Sequence, residues 1–512
     1  MSAGAQHKLF QPLQKPLHDQ DHDPIPPGSS GSGSTVAPSE ASNDSTSSLV
    51  VVDWDGPDDP EKPLNWSRAK KRAIISSVCL MRFTTPLASS MMAPALLQIG
   101  DEFSGTSEML ITFTVSIYII GFGIGPLILA PLSEIYGRNL IYNVGNVLFT
   151  LFTAMCGVSP NATALLIFRL LAGVFGGAPL TNGGGTISDL VPVNERGLIM
   201  SIFSLSMLIA PVVGPIAGGF LSQAANWRWI FWLLTILSGF TTIVCFVFLR
   251  ETYGPVLLER KAARMRKETG NPHIQSANKS PLPLGQLFRQ VITRPVEFLY
   301  KSPVSIVMAL YMGLVYGIIY LLFTSFTQVF EDTYGFSQGV AGLCYVGLGL
   351  GCATQLFSGH YSDKLYMQLS QRNGVQRPEY RLLLLIPAAL SLPVGLVIYG
   401  WTAEFKIHWI VPIIGTFFIG VGFSGSMTSV QTYLVDAFSS YSASALAANN
   451  VVRSIAGGVV PLAGPSMYGK LGLGWGNTLL GLLGLVFGLT PMYFYRYGGT
   501  KKEKKEEKEI PV

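Results

Sequence analysis

The sequence predicts an all-α polytopic membrane protein, with twelve transmembrane helices arranged as two pseudo-symmetric six-helix bundles. Three observations predict it. Of 512 residues, 49% are hydrophobic and only 13% charged, about half the ~25% charge of a soluble domain. The charges are segregated, most of them lying before residue 73, between 250 and 301, between 359 and 381, and after 495. Between those stretches run apolar segments of roughly 20 residues, the length that crosses a hydrocarbon core about 30 Å thick.

Taken in order, the apolar runs are 74–98, 109–130, 140–158, 163–187, 198–222, 229–249, 304–328, 338–358, 381–401, 409–434, 442–467 and 476–495. Helix is expected in each, because lipid offers the backbone no partners and the pattern is continuous rather than alternating as in a barrel. The regions that follow are a tail (1–72), a first bundle (73–250), a central loop (251–302), a second bundle (303–497) and a charged tail (498–512). The first tail is rich in Ser, Gly, Pro and Asp and lacks the apolar core of a signal peptide, so it reads as disordered.

Basic residues stay cytoplasmic. Segment 250–301 holds Arg250, Arg260, Lys261, Arg264, Arg266 and Lys267, whereas GDEFSGTSEM on the opposite side has three acids and no base. Both termini and the central loop are therefore expected in the cytoplasm, with the plasma membrane as the expected location and the vacuolar membrane as the alternative. Asn161, in NAT, is the one glycosylation sequon this topology places outside, in a loop so short that little glycan is expected.

Cys79, Cys156, Cys245, Cys344 and Cys352 all lie in apolar spans without metal-ligand spacing, so neither a disulfide nor a metal site is expected. No nucleophile motif or phosphate loop appears, since GTISD after GGG lacks the lysine such a loop needs. An enzyme, a cofactor and a nucleic-acid partner are not expected.

Internal repetition supports two related halves. Laying residues 169–189 over 416–436 sets Gly173 on Gly420 and Asp189 on Asp436, and APLSE (130–134) matches GHYSD (359–363). APLSEIYGRN, between spans two and three, resembles the loop signature of the major facilitator superfamily, with Glu134 as its acid and Gly137 and Arg138 in place. Ala130 stands for the usual first Gly and Ile135 for a base. LIFRLLAGVFGG resembles the span-four motif around Arg169 and Gly173, with Ala172 at a position where Gln is frequent. LIAPVVGPIAGGF resembles the span-five motif of antiporters through Pro211, Gly214, Pro215, Gly218 and Gly219. With NWRWIFW, RETY and the span-eleven stretch SALAANNVVRSIAGGVV, the chain is similar to fungal twelve-span drug:proton antiporters over about residues 73–497. The resemblance implies that Glu134, Arg138, Asp189 and Arg196, with Asp363 and Asp436 as second-half counterparts, form a charge cluster that latches the outward-open state. It also implies proton coupling, with the proton gradient as the energy source.

Gly214 and Gly218 stand four apart on one helical face, and Pro211 and Pro215 each remove a helical hydrogen bond. Span five is thus either a kinked pivot against span eight, itself glycine-rich (GLGLGCA, 347–353), or a site of ordinary close packing. On the pivot reading, Gly218→Leu should abolish transport while leaving insertion intact.

A charge inside the membrane must face the bundle interior or water. Arg82, Arg169 and Arg453 qualify, while no Asp, Glu or His lies deep within any span. Arg82 can face a cavity or snorkel to the headgroups, but Arg453, about twelve residues into span eleven, is too deep to snorkel. In the family, spans one, four, seven and ten line the path. The cavity candidates are therefore Arg82, Met92, Arg169, Asn182, Tyr311, Tyr316, Phe323 and Arg453, with Met91, Tyr320 and Phe326 nearby. Roughly half of the aromatics are expected to face lipid or neighbouring helices. Aromatic walls with arginines suit a planar, hydrophobic or weakly acidic compound. The expected function is proton-driven export of small organic compounds (drug, toxin or secondary metabolite) by a monomer. An organic-anion importer or uniporter, and a non-transporting sensor, are the alternatives.

Overall fold

The computed structural model describes residues 50–277, 302–438 and 442–509, with four isolated positions between 293 and 299. Among them, ten helices are long and apolar enough to cross a membrane. One of these divides at Gly472, whose φ of 71° breaks the helix. The first helix, kept outside that set by its own charges (RAKKRA and Arg82), completes twelve spans.

The spans are Arg68–Ser90, Glu108–Tyr136, Arg138–Gly157, Ala162–Leu190, Val193–Ala224 and Arg228–Phe248, then Pro303–Tyr334, Gln338–Asn373, Pro378–Glu404, Ile410–Ala437, and Ser442 onward, with span twelve following Gly472 to Glu509. Ser67, Ser107, Asn161 and Ser302 cap spans one, two, four and seven by accepting from the backbone N–H three residues on, which satisfies donors a helix start leaves free. Span four is interrupted at Gly177, before Pro179, and span eight at Cys344 and Thr354.

Each half is held together by backbone contact through glycine, which supplies packing where lipid gives helices no hydrophobic reason to associate. A Cβ at Gly173 in span four would lie 2.2 Å from Tyr118 O in span two, and one at Gly420 in span ten 2.4 Å from Leu348 O in span eight. The two glycines that the internal alignment superposes thus close corresponding helix pairs.

The chain enters span one and leaves span six on one face, the tail face; the opposite is the far face. Packing between the halves is concentrated from mid-depth to the far face. There Gln98 Nε2 donates to Gln338 Oε1 (2.9 Å), Gly339 N to Gln223 Oε1 (3.0 Å), and Ser454 in span eleven abuts Gly123 in span two. Deeper in, Ser89 and Tyr320 share a hydrogen bond of 3.1 Å between spans one and seven.

The expectation of a disordered tail through residue 72 is corrected from residue 50 onward. Val50–Val52 pairs in parallel with Ile274–Ser276, and Val52 and Ile274 bury against Ala262 on the loop helix Gly254–Thr269. Asp59, 5% exposed, accepts from the N–H groups of Asp55 and Glu61 and from Lys261. Those bonds, the Asp55 one foremost, hold its carboxyl below the usual range. A buried carboxylate needs such partners, and the loop supplies the cation.

Candidate transport site

Between the halves lies a cavity of about 120 Å³. Arg82, Pro86 and Ser89 reach it from span one, Tyr118, Ile119 and Phe122 from span two, Met207 and Pro211 from span five, and Tyr316, Tyr320 and Phe323 from span seven. Span eight adds Gln355, span ten Phe423, Met427 and Gln431, and span eleven Arg453. The contacts between the halves described above lie on its far-face side.

The three membrane arginines separate into two kinds. Arg169, 1% exposed, is absent from the cavity wall and is corrected as a cavity candidate. Its Nε donates to Thr114 O (3.0 Å), one terminal nitrogen to Ala88 O (2.7 Å), and the other to Val115 O (3.2 Å) and Ser89 O (3.4 Å). Ala88 and Ser89 fall in the last turn of span one, whose carbonyls have no further helical donors. Arg169 therefore caps span one, where a positive charge also suits the helix dipole.

Arg82 and Arg453 are both on the cavity wall. Arg82 donates to Met207 Sδ (3.2 Å) and, at 3.5 Å, to Pro179 O, and its guanidinium lies over Phe203; its Nε has no partner. Snorkelling to the surface is excluded for it in this conformation. Arg453 donates to Asn450 Oδ1 (2.7 and 3.1 Å) and Met427 Sδ (3.1 Å) and lies over the Tyr316 ring at 4.9 Å. Among the described residues neither has a carboxylate partner, and the two charges repel across the cavity. Thioether sulfur and ring faces are weak partners for a guanidinium, so both arginines keep donor capacity for an anion.

Three further candidates move. Asn182 is buried between spans two and four, accepting from Ser133 Oγ (2.9 Å). Tyr311 is buried inside the second half, sharing a 2.6 Å hydrogen bond with Ser426. Met92 is fully buried beyond span one, in the core towards the far face. None lines the cavity. Of the other aromatics, Phe326 stacks on Tyr399 and packs at a tilt against Tyr345 within the second half. Residues that sequence reasoning missed are Tyr118 and Phe122, on a span the family path does not include, and the amides Gln355 and Gln431.

Span five presents two faces. A Cβ at Gly214 would meet Ser90 Oγ at 2.3 Å and one at Gly218 Met91 O at 1.9 Å, so this face presses on span one within its own half. The expectation that Gly218 meets the other bundle is corrected: the face that does so carries Val212, Pro215 and Gly219. A Cβ at Gly219 would lie 2.5 Å from Gln338 O, while Gly342 approaches Pro215 O and Gly349 the Val212 side chain. Gly218→Leu is therefore expected to impair folding, read as loss of monodisperse protein in detergent; a well-folded variant without transport would refute this.

At the tail face, Arg138 pairs with Asp189, its guanidinium passing over Gly185. Gly137 turns with φ of 94° and leaves no room for a Cβ beside Glu251, whose carboxylate accepts from the N–H groups of Arg138 and Asn139. RETY thus pins the loop between spans two and three. In the second half Arg381 bridges Asp363 and Asp436 (2.8 Å to the latter), tying the ends of spans eight and ten. Arg381 went unnoticed in the sequence, although it opens span nine as Arg138 opens span three. Each of these pairs stays within one half. Glu134 is exposed at the end of span two, and the Arg196 side chain lies outside those described.

The sequence profile of the Major Facilitator Superfamily matches residues 78–461. The chain is 47% identical over 449 residues to the MFS-type transporter penM of Penicillium rubens, covering 88% of each. It is 47% identical to the MFS transporter cpaT of Aspergillus oryzae, covering 91% of this chain and 95% of that one. To the efflux pump radE of Floropilus chiversii it is 44% identical, over 97% and 93%. Its fold is similar to that of the E. coli xylose transporter XylE in a partially occluded inward-open conformation, with a TM-score of 0.60 at 16% identity over 83% of this chain and 99% of that one. A cavity between two six-helix halves, closed at one face by glycine-mediated contact, together with these matches over most of its length, makes this chain a transporter of the major facilitator superfamily.

Proposed function

We propose that the protein exports small, planar, amphipathic organic acids by alternating access, from a cytoplasmic tail face across the plasma membrane, using the proton-motive gradient. One observation carries the reading: Arg82 and Arg453 face one aromatic cavity that, among the described residues, no carboxylate lines. An acid group would satisfy the guanidiniums, and Tyr316, Tyr320 and Phe423 would take a ring system. A cavity closed at the far face is the loading state of an exporter, and the basic loop helix at the tail face supports the orientation. The relative named as an efflux pump supports the direction.

The test compares small molecules inside and outside cells with and without the gene. Deletion is expected to retain an aromatic acid inside cells and deplete it from the medium; unchanged distributions would remove the export reading. Arg453→Lys keeps the charge but loses the planar fork. It is expected to weaken transport of acidic compounds about tenfold more than that of neutral ones, since a charge-assisted bidentate contact is worth roughly 1–2 kcal/mol more than a single one. Equal losses for both classes would make Arg453 a brace instead.

A further inference from the structure

A second cavity, of about 570 Å³, lies at the far face and is lined by both halves. Its first-half wall falls within residues 93–112, and its second-half wall is the end of span seven with residues 464–473. Packing between the halves flanks it, Ala93–Ala95 lying against span seven and span two against Val460–Ala463. The helix of span seven has 32 residues. At 1.5 Å per residue that is about 48 Å, so its final turns project past a hydrocarbon core about 30 Å thick. There Thr324, Thr327 and Glu331 recur at three- and four-residue spacing on one helical face, and all three line the cavity.

The Oε1 atom of Glu331 is buried and accepts no hydrogen bond among the described residues. The neighbouring phenols are engaged elsewhere: Tyr345, on span eight, donates to Phe323 O (3.0 Å), and Tyr468 to Asn477 Oδ1 (3.2 Å). The charges around Glu331 are acids, Asp332 beside it on its own helix and Asp101 and Glu108 on the first-half wall. Glu404, at the end of span nine, accepts from the N–H groups of Leu473 and Gly474, and Lys470 is exposed. A buried carboxylate without donors is costly, and a like charge beside it adds to the cost. Burial foremost, and then Asp332, push the Glu331 carboxyl up to about 7, against ~4.3 for a free one. Separating the halves would remove the first-half wall and let water reach the carboxylate.

We infer that Glu331 is the proton-accepting group of the far-side gate: the halves close there with its carboxyl protonated and part as it ionises. The inference takes only alternating access from the proposed function. Because the closed state holds the extra proton, closure is favoured at acid pH and lost as pH rises through about 7. In an exporter, protons on the far side then drive the return to the state that loads from the tail face. The proton gradient thereby gains a point of action at the end of span seven.

The experiment uses the full chain in lipid nanodiscs, spin-labelled at Ser104→Cys and Ser466→Cys, one on each half at the far face. Both serines are exposed, and the native cysteines are buried or half-buried. Pulsed electron paramagnetic resonance reads the distance between the labels without substrate. The ratio of short to long distances is expected to fall roughly 10- to 100-fold from pH 5 to pH 8. In Glu331→Gln, neutral and similar in shape, the short distance is expected to persist at both pH values. A Glu331→Gln ratio that follows pH as the parent's does would overturn the inference. Should that variant fold poorly, Asp332→Asn tests the same group: loss of the neighbouring charge is expected to move the midpoint to lower pH, and an unmoved midpoint overturns the inference equally. Gly219→Leu, which crowds span five against span eight, is the control for the gate itself. A long distance in that variant beside a pH-insensitive parent overturns the inference and spares alternating access, whereas a distance fixed in both removes both.

Discussion

Replacing Gly219 by leucine is expected to lower transport about 10- to 100-fold while leaving the protein inserted and folded. The new side chain must enter a space where even a Cβ would lie 2.5 Å from Gln338 O and 3.4 Å from Gly339 Cα. Span-eight backbone cannot yield as a flexible side chain could, and overpacking of this kind costs roughly 1–3 kcal/mol. That cost falls only on the conformation in which the halves meet at the far face, because the contact joins the two halves and belongs to neither core. A bistable carrier is thereby biased towards the opposite state. The same closure joins Gln98, Gln338 and Ser222 in one hydrogen-bonded group, with Gln223 accepting from the Gly339 N–H beside it. A cysteine at position 98 should therefore react faster with an impermeant maleimide from the far side in the Gly219→Leu background. Unchanged reactivity and normal flux would show that this contact does not gate.

Arg169→Met is expected to destabilise the protein by about 3 kcal/mol, lowering its melting temperature in detergent and reducing flux of acidic and neutral compounds alike. Methionine fills similar volume but removes every donor to Thr114, Val115, Ala88 and Ser89. The two buried span-one carbonyls then lose their charged donor, and a lost hydrogen bond of that kind costs roughly 1.5–3 kcal/mol. The Tyr118 ring under the guanidinium loses its cation as well. Tyr118 also lines the cavity, so some distortion of the wall follows, without selectivity for acids. A stable Arg169→Met variant that loses only acidic compounds would place Arg169 in the binding site after all.

These outcomes separate residues that look equivalent along the chain. The number of spans and the repeat were legible because hydropathy and glycine spacing are local, and Gly173 and Gly420 do occupy matching positions. The destinations of the arginines were not. Whether a membrane guanidinium meets carbonyls, as Arg169 does, or sulfur and a ring, as Arg453 does, depends on neighbours far away in sequence. Asn182 and Tyr311 were misplaced for the same reason, being on the right spans but the wrong faces. Span five shows how fine the margin is: Gly218 and Gly219 are adjacent, yet about 100° of helical rotation sends one to span one and the other to span eight.

The pairing of Val50–Val52 with Ile274–Ser276 has a consequence for the order in which the chain is made. All residues of the clasp have been synthesised once residue 277 is added, before any of span seven exists. The Asp59–Lys261 and Glu61–Arg264 contacts join the same two segments, so the beginning and end of the first six-span unit can be fastened together once residue 277 has cleared the ribosome. Domains generally fold as units, the earlier one first. A nascent chain paused with residue 277 clear of the ribosome would already hold these clasp contacts, and the second half would dock onto a fastened partner.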